Sequence, residues 1–382
     1  MYFFNAHFFL LSSMFLLLFT DAMAIVRKYG KPDLFITFTA SADWPEIKES
    51  LRKEENSFNR PDVVSRVFEM KVHELIKDIE HGGVLGRLIA ILVIKEWQKR
   101  GLPHVHILII LHPDDKPRSP QDIDKIVCAE FPDESVNPLL HKLVKDKMIH
   151  GPCDTPISPC KTKNKNQCDK NYPKFYHEET TTSETGITIY RRRHADDGGH
   201  TASKLVKGQI RTIGNTWVVP YNPYLLLKYK AHINVEVCTS VSSVKYLYKY
   251  VLKGADKISF QVSEGESSEK VKDEVNQYEQ GRYYDSTQSA DRIFEFEMCH
   301  RYPAVMKLQL HLENEQVVIF NEDDNAPEVL ERFSKTQLTE YFQLNKTDPD
   351  ARQILYPDIP GERSDLSIPI LFLNSAVYIF FG

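Results

Sequence analysis

The sequence has few cysteines and no excess of basic residues. Its six cysteines are too few and too unevenly spaced for a disulfide framework in 382 residues, which favours a reducing compartment. The formal net charge of −5 argues against a protein that coats nucleic acid indiscriminately. Neither the phosphate-binding loop GxxxxGK followed by Ser or Thr nor the dinucleotide motif GxGxxG occurs, so these residues contain no ATP-driven motor.

Both ends of the chain are apolar. Residues 1–24 have an apolar core followed by Ala22-Met23-Ala24, which imitates a secretory signal with its cleavage site, although no basic residue precedes the apolar run. The alternative is a gene-model artefact, because the rest of the chain reads as intracellular. The tail, residues 361–382, ends in SIPILFLNSAVYIFFG, which contains Asn374 and is shorter than the ~20 residues of a membrane span.

Between these ends, patterns typical of strands and helices alternate. The stretch PDLFITFT, residues 32–39, is β-branched and aromatic, as buried strands are. From Pro61, apolar residues recur at steps of three and four, which predicts an amphipathic helix ending at Gly82. Val84–Trp97 and Pro103–Leu111 are predicted strands joined by a tight turn. We therefore predict one α+β domain, residues 25–360, with a central antiparallel sheet and flanking helices.

Two histidines lie on one face of the second hairpin strand. Side chains alternate along a strand, so His104 and His106 converge as metal ligands would. Glu96 and Gln98 share a face of the preceding strand, and the hairpin register decides which of them lies opposite His104. Two imidazoles and one oxygen ligand leave coordination positions open, as a catalytic divalent site requires. We assign Glu96 as the third ligand, with Gln98 and then Glu236 as alternatives. Without a metal, the histidines would instead be partly buried and satisfied by backbone carbonyls.

The stretch VKYLYKYVLKG, residues 244–254, combines tyrosines and lysines at helical spacing. Tyr246 and Tyr250 would lie on one face, and Lys245, Lys249 and Lys253 would form a second stripe. Two phenols beside ammonium groups suit attack on a phosphodiester, because lysines favour phosphate and lower the cost of the phenolate. The alternative is a helix whose tyrosines pack at a core edge while its lysines are solvated.

Other basic residues indicate a nucleic-acid surface within this acidic protein. They would contact the phosphates of a single strand, in addition to the three lysines of the tyrosine stretch. These candidates are Arg191, Arg192, Arg193, Lys228 and Lys230.

Residues 150–175 are predicted to form an inserted loop that contains three of the six cysteines. His150, Cys153, Cys160 and Cys168 would provide a Cys3His zinc site, although the intervals between the cysteines are longer than the usual two to four residues. Free thiols in a solvated loop are the alternative interpretation.

Taken together, QKRGLPHVHILI and VKYLYKYVLKG resemble the HUH and two-tyrosine motifs of the Helitron replication-initiator domain, the nuclease of rolling-circle DNA transposons. The resemblance extends over about residues 21–360. It includes PDLFITFTASADWPEI, MIHGPC, CDKNYPKFY, YRRR and LYPDIP in the same order.

The resemblance implies an HUH-nuclease-like fold in which His104 and His106 bind a Mg or Mn ion and Tyr246 and Tyr250 are paired nucleophiles. It implies nicking and strand transfer on single-stranded DNA at transposon ends through a 5′-phosphotyrosine, with no small-molecule substrate. Family members continue into a helicase that is absent from these residues, so a DNA helicase is expected in trans. The expected location is nuclear, or the secretory pathway if the N-terminal segment is a working signal.

The sequence also departs from the family. After PDLFITFT the family continues with Cys-Asn-Pro, whereas Ala40-Ser41-Ala42 stand here, which puts the role of that loop in doubt. The alternative function is therefore a catalytically inactive DNA-binding remnant of a truncated Helitron protein.

Overall fold

The computed structural model describes residues 20–97, 102–153, 160, 168–183, 186–206, 208–238, 285–308, 310–312, 336–356 and 376–380. The chain divides into two compact units. In the first unit, the described residues lie within Lys31–His300. The second unit comprises Leu16–Gly30 and Arg301–Gly382. The predicted domain, residues 25–360, therefore contributes residues to both units.

The first unit contains most of the described helices and strands. Its strands are β1 Leu34–Thr39, β2 Leu88–Trp97, β3 Pro103–Leu111, β4 Thr181–Thr182, β5 Thr188–Ile189, β6 Ala202–Val206, β7 Gln209–Ile213 and β8 Ile233–Val237, and β9 Cys299–Tyr302 follows at its end. Its helices are α1 Pro45–Ser50, α2 Pro61–Glu80, α3 Pro120–Ile126, α4 Pro138–Lys147, α5 Pro223–Tyr229 and α6 Ser286–Ile293.

A five-stranded antiparallel sheet organises this unit, with strand order β8-β1-β3-β2-β9. The central strand β3 pairs with β1 on one side and β2 on the other, and β1 also pairs with β8. The prediction of an α+β fold on a central antiparallel sheet is confirmed. The predicted hairpin strands also lie next to each other, as expected for a short connection.

One face of the sheet packs on α2 and forms the hydrophobic core. Leu34, Ile36 and Phe38 of β1 alternate into this face and are fully buried, as the period of two in a strand requires. The α2 residues that meet them recur at helical spacing, and the Phe68 ring stacks on Phe38 with centroids 5.7 Å apart. Pro61 begins the helix because its missing N–H would have no partner in the first turn.

The same face also contains a buried group of charges. Lys95 of β2 forms an ion pair with Glu69 of α2, and its Nζ lies 3.5 Å from Oδ2 of Asp291 on α6. Asp291 also accepts a hydrogen bond from Ser65. Burial raises the pKa of the Asp291 carboxyl, although Lys95 opposes that shift. The lysine thus connects β2 to both helices.

Two predicted strands differ in extent from the observed ones. The predicted strand Val84–Trp97 begins only at Leu88, because Gly83 and Gly86 adopt positive φ and divert the chain. The sequence pattern of residues 186–193 also predicts a strand, but this stretch contains only the short β5, because Arg192 forms a single bridge to His177 instead of a ladder.

The second unit contains a helical segment, residues 20–29, and the elements β10 Ala304–Leu308, β11 Ala376–Phe380 and α7 Gln337–Thr347. Asp21 is buried and pairs with Arg301 at 3.0 Å. The strand β10 pairs in parallel with β11, so part of the apolar tail is a strand. Within the described part of the chain, no helix combines the length and the apolarity needed to cross a membrane.

Candidate metal centre

The β2–β3 register places Glu96 directly opposite His104 and Ile94 opposite His106. Residues that pair across antiparallel strands lie on the same face, so the carboxylate and both imidazoles share the face opposite α2. Of the two alternatives on this strand, Glu96 is therefore the residue that lies opposite His104. Gln98 lies outside the described residues.

The three side chains converge on one point. Oε2 of Glu96 lies 3.3 Å from Nε2 of His104 and 3.4 Å from Nε2 of His106. The two imidazole rings are nearly perpendicular, with centroids 4.8 Å apart. Both histidines are buried, at 4% and 7% exposure, so the group is largely shielded from bulk water. One ligand atom from each residue lies within 4.8 Å of the others, a spacing that a single cation could bridge.

The neighbouring strand β1 orients the second histidine. Oγ1 of Thr37 lies 3.1 Å from Nδ1 of His106, and the Phe35 ring stacks on the imidazole with centroids 5.4 Å apart. When Nδ1 carries the proton and donates to the Thr37 hydroxyl, the Nε2 lone pair is available to a metal. Sequence analysis missed Thr37. The signal was the alternation in PDLFITFT, which places Phe35, Thr37 and Thr39 on one face.

The electrostatics of the site favour an ionised carboxylate. Burial raises the pKa of Glu96, but its contacts with His104 and His106 outweigh burial and lower the pKa to about 2. Oε1 of Glu96 and Nδ1 of His104 are buried without a hydrogen-bond partner among the described residues. Buried polar atoms without a hydrogen-bond partner cost folding free energy. A divalent cation would occupy the point that the three side chains share. Two imidazoles and one carboxylate are a common ligand set for divalent cations, and they leave coordination positions open for a phosphate oxygen.

Glu236, the other alternative to Glu96 as the third ligand, is not part of this group. It lies on β8 opposite Phe35, and its carboxylate accepts a hydrogen bond from Asn234 at 3.1 Å. His232, the residue before this strand, is half-buried, and Nδ1 of its ring lies 2.9 Å from the Lys147 carbonyl oxygen. Burial lowers the pKa of His232.

The predicted nucleophiles Tyr246 and Tyr250 lie outside the described residues, as do Lys245, Lys249 and Lys253. Their approach to the imidazoles stays a prediction.

Arg192 was predicted to contact DNA, and the structure contradicts this. Its side chain is only 3% exposed, and its Nη1 lies 2.6 Å from the carbonyl oxygens of Asn215 and Val218 and 3.2 Å from that of Ala129. Because the guanidinium is enclosed and already bound to carbonyls, it has no surface to offer to a phosphate. Arg192 is a structural residue.

The other predicted DNA-binding residues are more exposed. Arg191 and Arg193 both bind Glu130, whose carboxylate is buried, and they retain 39% and 35% side-chain exposure. Lys228 pairs with Asp78 at 2.7 Å, and Lys230 is exposed at the end of α5. Of these four, Lys230 alone forms no ion pair with the other described residues.

The four predicted zinc ligands come together in the structure. One ligand atom each from His150, Cys153, Cys160 and Cys168 lies within 4.8 Å of the others, and Nε2 of His150 is 3.2 Å from Sγ of Cys168. Cys153 and Cys168 are buried, which contradicts the alternative of thiols in a fully solvated loop.

The strand β1, the helix α2 and the histidine hairpin occupy one continuous stretch of sequence. Residues 12–109 match the family model described as the Helitron helicase-like domain at the N-terminus. The match confirms the resemblance over residues 12–109 and suggests a Helitron-related function; the part of the predicted resemblance after residue 109 stays a prediction. The Helitron helicase-like range contains Glu96, His104 and His106, and it ends before the cysteine cluster and the tyrosines. No curated protein matches the chain.

Proposed function

We propose that this chain is a metal-dependent nuclease that nicks single-stranded DNA and transfers the cut strand through a phosphotyrosine. The observation that supports it most directly is the convergence of Glu96, His104 and His106 on one buried point. The match to the Helitron helicase-like domain supports the proposal more coarsely, because it indicates only a Helitron-related function.

In this proposal, His104 and His106 hold a Mg or Mn ion through Nε2 and Glu96 holds it through a carboxylate oxygen. When bound, the ion supplies Lewis-acid polarisation of a phosphodiester. Thr37 keeps the His106 ring in its ligating orientation, and the contacts with His104 and His106 keep Glu96 ionised against the effect of burial. These side chains therefore define where the scissile phosphate would lie.

Tyr246 or Tyr250 would supply the nucleophile. Its phenol oxygen loses a proton and forms a bond to phosphorus, while the bond from phosphorus to the 3′ oxygen breaks and that oxygen takes up a proton. The products are a 5′-phosphotyrosine and a free 3′-hydroxyl, and the phosphoester energy is retained for rejoining. A second tyrosine would accept a second strand before the first is released.

The partners and location follow from this chemistry and remain part of the proposal. Single-stranded DNA at transposon ends would lie on the face of the sheet that carries the histidines. A DNA helicase acting in trans would expose the single strand, and the reaction would take place in the nucleus.

The test is formation of a covalent adduct between the protein and labelled single-stranded oligonucleotides in the presence of Mn²⁺. We expect an adduct that survives denaturing electrophoresis and is lost in the double variant Tyr246→Phe with Tyr250→Phe. It should also be lost when His104→Asn and His106→Asn are combined.

A matched control is His112→Asn. His112 follows directly after β3, and its side chain is 40% exposed and pairs with Asp114, away from the ligand group. The adduct should persist in this variant. DNA binding without any adduct in the unaltered protein would support the inactive remnant, and an adduct that survives both histidine changes would refute the metal centre.

A further inference from the structure

The cluster of His150, Cys153, Cys160 and Cys168 lies outside the catalytic group proposed above. We propose that it is a structural Zn²⁺ site that closes the 150–168 segment. The three sulfurs and one imidazole nitrogen lie within 4.8 Å of one another. Zn²⁺ bonds of about 2.0–2.3 Å place tetrahedral ligands roughly 3.3–3.8 Å apart, so small side-chain rotations suffice to seat the ion.

The first two ligands are held by a sharply turned backbone. The His150 N–H donates to the Trp217 carbonyl at 2.9 Å, which ties the segment after α4 to a neighbouring loop. Gly151 follows at a φ of +95°, and a Cβ there would lie 2.7 Å from both the Trp217 ring and the Cys153 nitrogen. Only glycine fits this position, and the turn brings the Cys153 sulfur back towards the His150 ring.

A sharp backbone turn follows Cys168. The Asn171 N–H donates to the Cys168 carbonyl oxygen at 2.9 Å, and Asn171 adopts a φ of 54°, in the left-handed region. The Tyr172 ring also stacks on His150 with centroids 4.4 Å apart, which orients that imidazole. Outer contacts of this kind fix the ligands of metal sites.

The donor set selects the kind of ion. Three thiolates and one imidazole match the Cys3His class of closed structural zinc sites, whereas Mg²⁺ and Mn²⁺ favour oxygen ligands. A single disulfide would use two of the sulfurs and leave the third, and all three cysteines are free thiols here. The two candidate centres therefore differ in ligand chemistry, and their ions can be distinguished. The zinc proposal does not depend on nuclease activity.

The experiment measures metal content in the full chain. Protein reconstituted with Zn²⁺ and desalted should retain one zinc per chain that survives His104→Asn with His106→Asn. Cys153→Ser and Cys168→Ser should each lower the retained zinc at least tenfold. Cys128→Ser is the matched control, because Cys128 lies outside the cluster and serine can keep its hydrogen bond to the Glu130 carbonyl. That variant should keep its zinc.

A second measurement covers the case in which the serine variants fail to fold. In the unaltered chain, bound zinc should protect Cys153, Cys160 and Cys168 from alkylation, and a chelator should expose them, as mass spectrometry of the labelled peptides would report. Replacement of zinc by Co²⁺ should give sulfur-to-cobalt charge-transfer absorption. Failure to retain zinc or cobalt, unchanged zinc in folded serine variants, or a disulfide between two of these cysteines would refute the site.

Discussion

The burial of Arg192 can be tested by replacing it with methionine. The change keeps much of the side-chain length but removes the donors that reach the carbonyl oxygens of Asn215, Val218 and Ala129. Ala129 lies far in sequence from Asn215 and Val218, which share one turn, so the guanidinium joins two separate segments of the chain. Removing it should weaken the fold without changing the surface that DNA would contact.

The magnitude follows from the two shortest contacts. Hydrogen bonds that involve a charged group contribute about 1.5–3 kcal/mol each, so the two bonds at 2.6 Å represent roughly 3–6 kcal/mol. Methionine avoids the cost of burying a charge, which offsets part of this loss. We expect Arg192→Met to lower the free energy of unfolding by about 3 kcal/mol. Arg192→Lys, which can still reach one carbonyl, should lose about half as much.

Urea unfolding followed by fluorescence would measure these changes, with Lys230→Met as the contrasting variant. Lys230 is exposed, so its loss should leave the unfolding free energy within about 0.5 kcal/mol. The same change should reduce the salt dependence of single-stranded DNA binding by about 0.7 in the slope of log K against log salt. If Arg192→Met kept full stability and instead abolished DNA binding, the structural role argued for Arg192 would be wrong.

Three further predictions concern single contacts. Thr37→Val should weaken Mn²⁺ binding about 10- to 100-fold, because the oriented His106 ring loses its hydrogen bond; calorimetry would measure this, and unchanged affinity would contradict it. Gly151→Ala should lower the free energy of unfolding by more than about 1 kcal/mol, since its Cβ would lie 2.7 Å from its nearest neighbours; urea unfolding checks this. The hydrogen bond from Lys147 lowers the pKa of Asp43 from 3.8 to about 2. That contact should therefore stabilise the fold above the unfolded pKa and lose its effect as the pH falls through about 2, as a carboxyl NMR titration would report.

The histidine hairpin shows how far local pattern could predict the site. Strand periodicity alone placed His104 and His106 on one face, because alternation needs no tertiary information. Periodicity could not decide whether Glu96 or Gln98 lies opposite His104. Both residues share one face of the strand, and the turn geometry sets the register. The structure supplies that register. Thr37 was beyond local reasoning, since it comes from a strand that pairs with β3 only in the folded chain.

The arginine run was misinterpreted for a related reason. Consecutive residues in an extended segment point to opposite sides, so Arg191, Arg192 and Arg193 cannot all face solvent together. The sequence pattern indicated positive charge but not which member turns inward. The two outer residues share the buried Glu130, and the middle one is enclosed by carbonyls. Counting basic residues therefore overestimates the surface available to DNA.

For the zinc ligands, the sequence pattern underestimated the site instead of overestimating it. Intervals between Cys153, Cys160 and Cys168 are longer than those of common zinc motifs, which made the sequence signal weak. Spacing rules describe ligands that lie on one tight turn. Here a turn at Gly151 positions Cys153, and Cys168 lies beside the His150 ring before a second turn at Asn171.

Lys95 and Glu96 are adjacent in β2, yet one joins the ion pairs beneath the sheet and the other meets the imidazoles above it. An insertion or deletion of one residue within that strand would exchange their positions. The ammonium would then meet the histidines, and the carboxylate would enter the apolar interior. A point substitution would remove one ligand of this centre. The gain or loss of a single codon within β2 would instead remove the Glu96 ligand and the core contact of Lys95 together. Among diverged copies of such a gene, the length of β2 is therefore a quicker guide to a surviving centre than overall similarity.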